Sequence, residues 1–114
     1  MSLKTEKLGS LFTREISRII LEEVKNPKIK FVTITGCKIS NDLSIAKVYF
    51  TILDMEKKDE VLKSLDKAKS FIRGEISKRI EIRHTPELRF IFDESIEYGD
   101  KIDKLIDKIH RNDE

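Results

Sequence analysis

The residues with the clearest chemical potential form a run of cations at helical spacing. Between Val61 and His84 stand Lys63, Lys67, Lys69, Arg73, Lys78, Arg79 and Arg83, opposed only by Asp66, Glu75 and Glu81. Apolar residues recur among them as Val61, Leu65 and Ala68 and then as Ile72, Ile76 and Ile80, the period of a helix with one face on a core. Such an element shows positive charge to solvent and suits a polyanion such as RNA, the alternative being a solvated lysine-rich face. Ala68, Ser70 and Gly74 surround the point where one apolar series passes to the next. Serine can bend a helix by bonding back to an upstream carbonyl. Two short helices meeting at a kink near Ser70 are therefore expected, rather than one uninterrupted helix. Such a junction would offer backbone N–H groups and a helix N-terminus to phosphate.

Other chemistry finds little support. The glycines at 9, 36, 74 and 99 are too scattered for a phosphate-binding glycine loop, which argues against nucleotide hydrolysis. Cys37 and His84 have the types of a nucleophile and its base, but Cys37 occupies an apolar strand position and reads as an inert core residue. His84 and His110 are too few for a structural zinc site. His84, between Arg83 and Thr85-Pro86, reads as a phosphate contact or turn residue. Asp100, Asp103 and Asp107 alternate with Lys101, Lys104 and Lys108, the pattern of an ion-paired solvated helix. No catalytic residue, metal site or cofactor is expected.

The elements that position these residues follow from the rest of the chain. A length of 114 residues predicts a single domain over 1–114, and 39% charged residues exceed the usual quarter. The net charge of +2 hides an asymmetry, because acids outnumber bases from Asp93 onward. One cysteine, no apolar run long enough to span a bilayer and no apolar leader predict a cytoplasmic protein without a membrane partner. A monomer is expected.

Leu8, Leu11, Phe12, Ile16, Ile19, Ile20 and Val24 predict a first helix over 4–26, ended by Asn26-Pro27. Residues 30–40 read as a strand in which a bulge near Gly36 brings Val32 and Ile34 to the same face as Cys37 and Ile39. Asn41-Asp42 turns into a second strand, where Ala46, Val48, Phe50 and Ile52 alternate with polar residues. After the basic helices Thr85-Pro86 breaks the pattern, and Leu88, Phe90 and Phe92 predict a third strand, expected parallel to the first. Ser95 opens a last helix carrying Tyr98, Ile102, Leu105, Ile106 and Ile109. The result is an α+β fold, helices over a three-stranded sheet.

Several segments together resemble the ribosome-binding factor A family. They are the leading amphipathic helix ending in Asn26-Pro27, Ser40-Asn41-Asp42-Leu43 with Ala46-Lys47-Val48-Tyr49, the stretch from Ala68 to Arg73, and Arg83-His84-Thr85-Pro86-Glu87-Leu88-Arg89-Phe90 followed by Asp93. The resemblance covers nearly the full chain. It implies a type II KH-like domain of order α-β-β-α-α-β with an additional C-terminal helix, in which an Ala-x-Gly kink joins the central helices. The matching residues are Ala68-Lys69-Ser70, with serine where glycine is common.

The resemblance further implies an assembly factor, not an enzyme, that binds the small (30S) ribosomal subunit and its 16S rRNA. It would assist late maturation, including 5′-end processing, and growth in the cold. It points to Ala68, Lys69, Ser70, Arg73, Arg79 and Arg83 as RNA contacts, to which charge and spacing add Lys63, Lys67 and Lys78, and His84 joins as a phosphate contact. Tyr49 is the best candidate for base stacking. Competing readings are a generic KH-like module for single-stranded nucleic acid, a protein-interaction domain using the acidic last helix, and, remotely, a metal-dependent nuclease.

Overall fold

The computed structural model describes residues 3–29 and 31–95. Helix α1 (Leu3–Glu22) is followed by strand β1 (Thr33–Ile39), strand β2 (Ile45–Thr51), helix α2 (Lys58–Arg79) and strand β3 (Glu87–Phe92). The expected last helix lies outside the described residues.

Strand β1 pairs antiparallel with β2, and β3 pairs parallel with β2, so the sheet order is β1-β2-β3. The third strand is thus parallel to the second strand and not to the first. Alternation explains the choice: Ala46, Val48 and Phe50 are fully buried, as befits a central strand bonded on both edges. A parallel neighbour needs a long crossover, which α2 supplies. The register of β1 shifts between Ile34 and Gly36. That bulge turns Ile34 and Ile39 to the core, with Val32 and Cys37 packed beside them.

Phe12, Ile16 and Ile19 of α1 and Leu65, Ile72 and Ile76 of α2 are fully buried against Val48, Phe50 and Leu88 of the sheet. The Phe50 and Phe92 rings meet edge to face, with centroids 5.7 Å apart. Helix α1 approaches β1 closely at Gly9, where an added Cβ would collide with the Cys37 carbonyl oxygen. Burial without a charged neighbour pushes the Cys37 thiol up to about 12, consistent with a packing role.

The basic stretch forms one helix of 22 residues, where two short helices with a kink at Ser70 were expected. The reason is visible in the spacing. Val61, Leu65, Ala68, Ile72 and Ile76 advance by four, three, four and four residues, which keeps a single stripe on the core through Ser70. Back-bonds to upstream carbonyls come from Ser64 to Glu60 and from Ser77 to Gly74, while the exposed Ser70 forms none among the described residues. Ser70 therefore exposes no helix N-terminus to phosphate.

Candidate nucleic-acid interface

The solvent side of α2 is a stripe of Lys63, Lys67, Ser70, Phe71, Gly74, Ser77 and Lys78, all exposed. Spacings of three and four residues place them on one face, opposite the buried stripe. Two acidic residues border it: the exposed Asp66, three residues from Lys63 and four from Ser70, and the half-buried Glu75, which pairs with Lys78 at 3.6 Å. Lys63 and Lys67 have no carboxylate partner among the described residues.

Beyond the end of α2 the chain returns toward β3 through residues 80–86 and closes a hollow of about 300 Å³ against the helix. Ser70, Arg73, Gly74 and Ser77 line it from the helix, and Arg83, His84 and Thr85 from the loop. No carboxylate lines it. The loop is fastened by Arg73, whose Nη2 donates to the Thr85 carbonyl at 2.6 Å and whose Nε donates to the Pro86 carbonyl at 3.1 Å. A planar guanidinium bridging two carbonyls fixes a loop where an ammonium would not. Arg83 and His84 are consequently presented to solvent at the rim, both exposed.

The expected contact residues therefore separate. Ser70, Arg73, Arg83 and His84 meet in the hollow, and Lys63, Lys67 and Lys78 extend it along the helix. Ala68 faces the core, and Lys69 is half-buried on the flank away from the stripe. Arg79 points the other way: its guanidinium lies 3.5 Å from Glu15, 3.6 Å from Glu23 and 3.9 Å from Glu75, tying α2 to α1. Its side chain is only 25% exposed. Tyr49, on the central strand, is half-buried with Lys38 Nζ 5.8 Å from its ring centre.

The sequence pattern assigns no contact role to Gly74, Ser77, Thr85 or Phe71. The signal for the first two was present, since Ser70, Gly74 and Ser77 are small residues at helical spacing along one face. Gly74 has no packing reason to be glycine: an added Cβ would meet nothing within 4 Å. An exposed glycine inside a helix weakens it, and close approach of a ligand to the backbone is one use that offsets the cost. The arrangement offers cations, hydroxyls and an open stretch of helix to a polyanion. Among the described residues no group of three metal-ligating side chains occurs, and no helix is long and apolar enough to cross a membrane.

A family model described as ribosome-binding factor A matches residues 4–106. The chain is 46% identical over 112 residues to ribosome-binding factor A of Staphylococcus carnosus (strain TM300), covering 97% of each chain. In fold it is similar to the crystal structure of ribosome-binding factor A from Thermus thermophilus, with a TM-score of 0.69 at 22% identity over 76% of this chain and 93% of that one. It is also similar to the Thermus thermophilus protein as fitted into a cryo-EM map of a 30S-RbfA complex, with a TM-score of 0.65 at 21% identity over 79% of this chain and 96% of that one.

Proposed function

Since the chain belongs to the ribosome-binding factor A family, we propose that it is an assembly factor that binds the small ribosomal subunit through 16S rRNA. The observation that carries this reading is the cationic surface of α2 and the adjoining loop. There Lys63, Lys67, Arg83 and His84 stand exposed around a hollow that no carboxylate lines. Phosphate contacts of this kind position a protein on a folded RNA without reading its sequence. The protein acts in the cytoplasm as a monomer and performs no chemistry itself. By holding a local rRNA fold it assists late maturation, including processing of the 5′ end of 16S rRNA, and supports growth in the cold.

Co-sedimentation of the purified protein with small subunits, large subunits and intact ribosomes across a salt series tests the reading. Selective pelleting with small subunits that weakens as salt rises is the expected result. Replacing Lys63 and Lys67 together by alanine should lower the slope of log affinity against log salt by roughly two. Equal association with every particle would demote the protein to a non-specific nucleic-acid binder. Binding that ignores salt would remove the basic face from the account.

A further inference from the structure

The stripe on α2 contains one residue that phosphate binding does not explain. Phe71 is 45% exposed, whereas Val61, Leu65, Ile72 and Ile76 of the same helix are buried on the opposite face. It lies one turn from Lys67 on one side and from Gly74 on the other, with Lys78 two turns along the same face. The loop carrying Arg83, His84 and Thr85 flanks this face at Ser70, Gly74 and Ser77 and leaves Phe71 open to solvent. Its chemistry is that of an aromatic ring flanked by Lys67 and by the Lys78–Glu75 pair, beside a helix segment left open by glycine.

We propose that Phe71 is a stacking platform for an unpaired RNA base, with Lys63, Lys67 and Lys78 holding the flanking phosphates. The assignment rests on the RNA-binding reading above and adds to it the class of RNA recognised, a folded RNA with an extruded base at the contact. The cations select a polyanion over an apolar protein surface, since a protein partner seated here would have to bury ammonium groups. A ring accepts any base by its π-face, so the contact adds affinity without strict sequence choice. The missing side chain at Gly74, one turn on, lets a base lie down against the helix instead of standing away from it. Tyr49 is the weaker platform because it is half-buried in the sheet beneath Lys38.

Stacking and phosphate contacts leave different marks on a salt series, which makes the assignment testable with small ribosomal subunits as the probe. Phe71→Leu keeps an apolar side chain of good helix propensity but removes the ring, and Phe71→Trp keeps a ring. Phe71→Leu should weaken binding by roughly tenfold, within the range of a single base stack, with the salt slope of the wild type. Phe71→Trp should bind at least as tightly as the wild type. Unchanged binding by Phe71→Leu overturns the platform, as does equal weakening by both variants, which would mark the site as a steric fit. A thermal melt of each variant keeps loss of binding separate from loss of fold. Absence of salt-dependent binding by the wild type would sink the RNA reading and the platform with it. Intact wild-type binding with an indifferent Phe71→Leu would sink the platform alone.

Discussion

Gly74→Ala should make the protein more stable and a poorer binder. Gly74 sits inside α2, five residues before the helix ends at Arg79, with its backbone exposed and nothing within 4 Å of an added Cβ. The methyl group therefore meets no steric cost, and the helix gains the ordinary difference in propensity, about 0.8–1 kcal/mol. For a domain of this size that corresponds to a rise in melting temperature of roughly 3–6 °C. Urea unfolding followed by circular dichroism should show a higher midpoint with an unchanged slope. Co-sedimentation of the same variant with small subunits should show weaker binding, because the methyl group occupies the surface along which RNA backbone or base would approach. The two effects have opposite signs, and no single fault in folding produces both. A destabilised Gly74→Ala would mean that the glycine answers a packing need, and a stabilised variant with wild-type affinity would mean that no ligand approaches the helix there.

Two further outcomes follow from the same geometry. Arg73→Lys keeps the charge but cannot bridge the Thr85 and Pro86 carbonyls, so it should cost about 1–2 kcal/mol in urea unfolding. Its subunit binding should weaken with a wild-type salt slope, since the loss acts through the loop carrying Arg83 and His84; a reduced slope at unchanged stability would instead make Arg73 a phosphate contact. Cys37, pushed up to about 12 from an ordinary 9.0 by burial, should resist iodoacetamide in the folded protein and react readily once unfolded. Because the raised group is neutral below its pKa, its contribution to stability is complete below 9.0 and declines as pH rises from there toward 12. The wild type should therefore lose stability relative to Cys37→Val in that alkaline window, and a constant difference across it would refute the burial argument.

The strands were legible because alternation is a local signal. Ala46, Val48 and Phe50 announce a buried face, and the parity change between Ile34 and Cys37 announces the bulge. Which strand β3 joins was not legible, since a crossover helix permits several neighbours and the decision lies in how deeply each strand is buried. The kink at Ser70 was inferred from residue types, whereas the apolar stripe ran through that point unbroken; spacing outranked the presence of small residues. The family resemblance and the charge pattern both select Arg79 as a contact. Its position is three residues after Ile76, on the stripe that faces the core, and that spacing placed it toward α1, where Glu15 and Glu23 receive it. Arg73 could not be assigned in this way, because its partners are carbonyls of a distant loop that no side-chain pattern reveals.

This division among the cations bears on how the surface works. Arg79 anchors α2 to α1, and Arg73 anchors residues 85–86 to α2, so the two arginines are used inside the fold and hold the helix and the rim loop in fixed relation. Lys63, Lys67 and Arg83 then project from a frame fixed by these contacts, which on the proposed reading is what meets the RNA. Long side chains still lose rotamer freedom on contact, but the backbone that carries them does not. A surface so held favours recognition of a folded shape over capture of a flexible strand, because a flexible strand would have to be ordered at the moment of binding and a folded RNA already is. On that argument the protein should prefer assembled small subunits to the same rRNA sequence presented unfolded. The preference should weaken in Arg73→Lys, whose loop is released, more than in a lysine variant, which lowers affinity for both forms alike.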